Sequence, residues 1–301
     1  MNNYSLGLIG WRANSLKECT QAVEMNYAGL EKEFKLLPYV TLHLLPLSGG
    51  GEWNNPNLFL DKIPNLDFLL IHTWNHYPPI DQIQKVKPRI KYQICSFIES
   101  SNQPVDYFFG LHRKQKPMDC YIPFPYSKDF MINKPKIPKT ILLDDVGVCP
   151  DCRDISKEIA EWLKPLKEEY QIYQFTKKET VASYIKPMLN TPTYEEYMNN
   201  TSQIETFIQT HAGSYEFSVL DMVGRGIRTL IPRSKKLSRE TYIQPEMVED
   251  LELSTFSNGE ELIRLIKEPV DVELWNSKIN LMTEMKIAVR IIDSHFQEMI
   301  R

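Results

Sequence analysis

"ETFIQTHAGSYEFSVLDMVGRGIRTLIP", residues 205–232, sets a histidine, a Gly-Ser pair, two carboxylates and a Gly-Arg-Gly between two apolar runs. It reads as strand, loop, helix, loop and strand. The first strand ends near Thr210 and the helix begins near Ser214, whose hydroxyl is a suitable cap. Backbone N–H groups of Gly213, Ser214 and Tyr215 then face outward at the carboxyl end of a parallel sheet, which is an anion site. His211 adds a further donor, and Glu216 falls in the first helical turn, within reach of a sugar hydroxyl. Asp221 lies two turns beyond Ser214 on roughly the same face, where a carboxylate can take the hydroxyls of a ribose.

The same alternation extends in both directions. "YSLGLIGW", "VTLHLLPL", "LDFLLIHTW" and "IKYQICSFIE" read as strands, separated by the amphipathic "SLKECTQAVEMNYAGLEKEFKLL" and the short "IDQIQKVKP". Strands alternating with helices imply crossover connections and a mostly parallel sheet, so the class is α/β. Residues 112–139 are rich in proline and lysine without a clean period and mark a domain boundary. Beyond them "KTILLDD", a helix over "DISKEIAEWLKPLKEEY", the strand "QIYQF" and the polar "TPTYEEYMNNTSQI" lead back to the opening stretch. A last apolar stripe, Trp275, Ile279, Met282, Met285, Ile292, Phe296 and Met299, predicts a core helix.

With 301 residues the chain is long enough for two domains. Its 42% hydrophobic and 25% charged residues are those of a folded globular protein. A net charge of −4 argues against coating nucleic acid or membrane by bulk electrostatics. No secretory leader or membrane-length apolar run is read from the sequence, and the expected compartment is the cytoplasm. Five scattered cysteines fit a reducing environment. The pair Cys149 and Cys152 lacks the second pair that a structural zinc needs, so no metal is expected.

The stretch "THAGSYEFSVLDMVGRGIRTLIP" resembles the donor-site signature of nucleotide-sugar glycosyltransferases of the GT-B fold. Its elements here are His211 and Gly213, then Ser218-Val219-Leu220-Asp221, then Gly226 before a buried strand. "DFLLIHTW" with His72, "DCYIPFPYSKDF" at the linker and "PKTILLDD" extend the resemblance over almost the whole chain. It implies two Rossmann-like domains with a cleft between them: an acceptor domain over 1–130, completed by a C-terminal helix over 276–301, and a donor domain over 138–275. It also implies a nucleotide-sugar co-substrate, a UDP-sugar first, with no cofactor and no tightly bound metal. Helix amides, Arg153, or Arg225 and Arg228 would neutralise the departing diphosphate. Two departures stand out: the spacing from His211 to Asp221 is longer than in the plant-type signature, and the acid is Asp where Glu is usual.

An inverting transfer needs a general base in the first domain, for which Glu52, His72 and Glu99 are the candidates by their predicted places at loops and strand ends. The hydroxyl acceptor is open. Basic clusters at 112–116, 134–139 and 225–236 are suited to the phosphates of DNA. Phage DNA glycosyltransferases, which act on hydroxymethylated bases, resemble this plan, and Trp53, Trp74 and Tyr77 are placed to stack on an extruded base. Two other readings use the same fold: a nucleotide-sugar 2-epimerase, which needs no acceptor, and a non-enzymatic module that holds a nucleotide or polyanion.

Overall fold

The structure is a computed structural model. It describes residues 1–11, 22–47, 63–73, 80–98, 105–110, 118–128, 131, 133–144, 150–176, 179–189, 193–210, 217–233 and 245–301. The chain forms two units, one of residues 1–130 with 283–301 and one of residues 131–282.

The first unit opens with β1 (Tyr4–Trp11), α1 (Ala22–Lys35), β2 (Val40–Leu47) and β3 (Leu66–Thr73). Next come α2 (Ile80–Val86), β4 (Ile90–Ile98), β5 (Tyr107–Gly110), β6 (Cys120–Tyr121) and β7 (Pro125–Tyr126). Six of these strands pair in parallel in the order β2-β1-β3-β4-β5-β6. β1 and β3, in the interior of the sheet, are buried on both faces and read as nearly continuous apolar runs.

The chain returns to this unit at its end. β14 (Thr283–Glu284) pairs with β7, and α9 (Met285–Ile300) packs on α1. Phe296 stacks on Phe68 at 4.1 Å between ring centroids, and Tyr4 meets both rings edge-on. Buried Asp293 accepts hydrogen bonds from the phenols of Tyr4 (2.8 Å) and Tyr39 (2.7 Å). Asn2 and Gln297 exchange two more, at 2.8 and 2.9 Å.

The second unit contains β8 (Thr140–Leu143), α3 (Pro150–Leu163), β9 (Gln171–Thr176), β10 (Lys186–Leu189) and α4 (Tyr194–Thr201). It continues with β11 (Thr206–Ile208), α5 (Phe217–Gly224), β12 (Arg228–Pro232), α6 (Pro245–Asp250) and β13 (Ser254–Phe256). It closes with α7 (Gly259–Lys267) and α8 (Val272–Ser277). Its sheet is also parallel, in the order β10-β9-β8-β11-β12-β13. Ile141, Leu143, Ile208 and Leu230 pack one face of it against Ile159 and Leu163 of α3 and Leu262 and Ile266 of α7. The long C-terminal stripe does not form one helix. Trp275, Met282 and Met285 are all buried, but they fall in α8, an extended segment and α9, and Met299 is 39% exposed.

Gly226 turns the chain between α5 and β12 with φ +66°, and a Cβ there would lie 2.0 Å from Asn276 Oδ1. Gly226→Ala is expected to destabilise the protein by about 2–3 kcal/mol, part steric and part backbone strain. Urea unfolding of Gly226→Ala with and without Asn276→Ala separates the two, since the second change relieves only the steric part.

Candidate functional site

In the second sheet the chain leaves β8 toward β9 on one side and returns to β11 on the other. The crevice between the carboxyl ends of β8 and β11 is therefore a topological switch point, the place where open α/β sheets bind ligands. Asp144 follows β8, and Gln209 and Thr210 follow β11. Thr210 Oγ1 donates to the Asp144 carbonyl at 3.0 Å and ties the two strand ends together. The Ser218 hydroxyl, in the first turn of α5, lies 3.3 Å from Asp144 Oδ2 and 3.4 Å from Gln209 Oε1. One hydroxyl proton thus faces two acceptor oxygens.

Asp221 stands one turn further along α5, 7% exposed. Burial, followed by the nearby Asp221 carboxylate, pushes the Tyr197 phenol of α4 well above its ordinary value. Acceptor groups thus gather at this crevice, which suits a ligand that brings hydroxyl and N–H donors. Asp144, Gln209 and Tyr197 were not anticipated from the sequence. The signal for the first two is a polar residue directly after a short strand that runs from a threonine into apolar residues.

Arg225 and Arg228 do not serve a diphosphate, contrary to expectation. Arg225 is fully buried: its Nε donates to the Asp221 carbonyl (2.8 Å), and Nη1 to the Met198 carbonyl (3.1 Å) and Thr201 Oγ1 (2.6 Å). It clamps α5 to α4. Arg228, 5% exposed, donates to Thr206 Oγ1 and to the carbonyls of Leu265, Ile266 and Glu268, clamping β12 to the end of α7. Both forks are taken up by backbone carbonyls and threonine hydroxyls. His211, Gly213, Ser214, Tyr215 and Glu216 lie outside the described residues. Arg153 lies in α3, and its side chain is likewise outside them.

The first sheet has its own switch point, between β1 and β3, where Gly10 and His72 are register partners. A Cβ on Gly10 would meet the Tyr27 ring at 2.2 Å and the His72 carbonyl at 2.7 Å, so the close packing of α1 here requires glycine. His72 has no exposed surface, and its Nε2 lies 2.9 Å from Asn26 Oδ1. Asn26 Nδ2 donates to the Pro125 carbonyl at 2.9 Å, which fixes the amide so that Oδ1 is the acceptor. The proton therefore sits on Nε2. His72 Nδ1 is left bare, and among the described residues it is the buried side-chain polar atom without a partner. Burial pulls the imidazole pKa down to about 3. It is neutral at pH 7 and a weak base, better suited to accepting a hydrogen bond than to removing a proton. Glu52, Glu99, Trp53, Trp74 and Tyr77 lie outside the described residues. Among the described residues no group of three or more His, Cys, Asp or Glu side chains is placed to hold a metal, and no helix is long and apolar enough to cross a membrane.

The buried imidazole has a consequence for acid stability. Below its ordinary value of 6.5 the unfolded chain takes up a proton at His72 that the folded chain refuses until about pH 3. The unfolded state binds more protons across that window, so stability falls by roughly 1.4 kcal/mol per pH unit as pH drops. Urea midpoints at pH 7 and pH 5 are expected to separate more for the wild type than for His72→Gln.

No described protein family and no curated protein matches the sequence. Solved structures do match. Anabaena Alr3699/HepE in complex with UDP is 6% identical, with a TM-score of 0.61 over 98% of this chain and 100% of that one. An alpha-glucosyltransferase in complex with UDP and a 13-mer DNA is 13% identical, with a TM-score of 0.56 over 100% of both chains. A Listeria monocytogenes protein assigned as a UDP-N-acetylglucosamine 2-epimerase is 12% identical, with a TM-score of 0.59 over 99% of this chain and 98% of that one. The chain has the GT-B fold, with two α/β units each built on a parallel sheet.

Proposed function

We propose that the protein is a glycosyltransferase that moves a sugar from a nucleotide-sugar donor, a UDP-sugar first, to a hydroxyl acceptor. The observation that carries the reading is the acceptor-rich switch point of the second unit, where the Ser218 hydroxyl meets Asp144 and Gln209 and Asp221 stands one turn further along α5, in the stretch that follows the His211-Gly213 motif in sequence. A ribose diol offers O–H donors to carboxylate and amide oxygens of this kind. The amides of Gly213, Ser214 and Tyr215, and Arg153, are assigned to the diphosphate, with no cofactor and no tightly bound metal required. UDP bound in several structures of the same fold supports this donor.

The first unit is assigned to the acceptor. Neutral His72 is proposed to accept a hydrogen bond through Nδ1, and Glu52 or Glu99 to act as base. DNA carrying hydroxymethylated bases is the first acceptor to try, since a glucosyltransferase of this fold has been solved with DNA. A 2-epimerase is the second reading, supported by the likeness to the Listeria protein. Incubation with UDP-glucose and UDP-N-acetylglucosamine, with and without acceptor DNA, separates the two. Sugar release or transfer only with acceptor supports the transferase, and conversion of the donor alone supports the epimerase. No binding of UDP by calorimetry would sink both.

A further inference from the structure

The donor reading leaves the basic stretch 134–139 unused. It borders a cavity of about 390 Å³ at the opposite end of the second unit's sheet, in the size range of small-molecule sites. Thr140, which lines it, is the first residue of β8, whereas Asp144 follows the last. Four residues of strand put the two places roughly 13 Å apart.

The lining is chemically divided. Tyr173, Met188 and Ile204 give an aromatic and apolar side, and Asn200 and Gln203 carry amides able both to donate and to accept. Lys134 lies on the rim. Lys186 holds its ammonium 5.9 Å from the Tyr173 ring centroid, and Lys139 holds its own 5.9 Å from the Tyr170 ring centroid. Lys139 also donates its backbone N–H to the Glu205 carboxylate at 2.8 Å, which leaves Lys134 and Lys186 as the cations beside this cavity. Two lysine ammonium groups beside a ring and two amides complement a flat heterocycle that carries negative charge.

We propose that this cavity is a second nucleotide site, which takes a planar base on the Tyr173 side with its phosphate on Lys134 and Lys186. The phosphate and base come either from a free nucleotide or from a nucleotide within a single strand, where aromatic stacking and lysine contacts recur along the chain.

The full chain carrying Asp221→Asn, which weakens the donor site, is titrated with UMP and with a seven-residue single-stranded DNA while the methyl signals of Met188 and Ile204 are followed. Saturable shifts of both signals are expected. The added pair Lys134→Glu and Lys186→Glu, both at the surface, is expected to weaken binding about tenfold or more, the scale of a lost charge-assisted contact. Tighter binding of the DNA, falling steeply with salt, identifies a strand as the source. Equal affinity for both identifies the free nucleotide. Unmoved Met188 and Ile204 signals, or binding indifferent to the two charge reversals, overturns the site. Neither result bears on the donor site, which is read separately by UDP binding to the wild type.

Discussion

Asp221→Asn is expected to lower the affinity for UDP by roughly 10- to 100-fold, because a charge-assisted hydrogen bond contributes about 1.5–3 kcal/mol. The substitution keeps the shape of a side chain that is 7% exposed and leaves no void, so the thermal transition should move little. Asp221 shares α5 with Ser218, and the Ser218 hydroxyl is already held between Asp144 and Gln209. A ligand hydroxyl arriving there finds the Asp221 carboxylate within an ordered set of acceptors and has little reorganisation to drive. Calorimetry of both proteins with UDP, GDP and ADP decides the matter. Unchanged UDP affinity in a folded Asp221→Asn variant would remove this residue from the site.

The second large effect concerns stability. Arg225→Met is expected to destabilise the second unit by about 3–5 kcal/mol, since it strips partners from the carbonyls of Asp221 and Met198 and from Thr201 at a place with no access to water. For a unit of this size the thermal midpoint should drop by roughly 10 °C. Differential scanning calorimetry reads it directly. Arg225→Lys should recover only part of the loss, because a single ammonium cannot span three acceptors that a planar fork reaches together. A midpoint within a degree or two of wild type would show that the clamp contributes nothing net.

The strands of the first half are legible in the sequence because they are long, apolar and separated by helical periods, and the stretches quoted for β1 and β2 coincide with the strands observed. The short edge strands β10 and β13 carry no such signature, since three or four residues cannot establish a period. Residues 194–201 were read as polar connection, yet they form α4, whose inward side rests on buried Met198. A capping box was there to be read: Thr193 Oγ1 accepts from the Glu196 N–H, three residues on.

The arginines show a different limit. A guanidinium beside a Gly-rich turn looks the same in sequence whether it faces a phosphate or closes a helix end. Only the positions of Met198, Thr201 and Leu265, all distant in the chain, tell the two apart. The same holds for His72. Its place at a strand end was legible, but its burial and its fixed tautomer depend on Asn26 and Pro125.

The return of the chain to its first unit also orders events in time. The ring of Phe296 and the carboxylate of Asp293 complete a core begun at Tyr4, and Gln297 pairs with Asn2. On the ribosome, residues 131–282 have all their own strands and helices before α9 emerges, whereas the unit begun first must wait for α9. Assembly therefore runs against the usual direction of synthesis, with the later-made unit closing first. Until α9 is made, the apolar surface around Phe68 and Tyr4 stays open, and this is the surface that a nascent-chain chaperone would be drawn to cover.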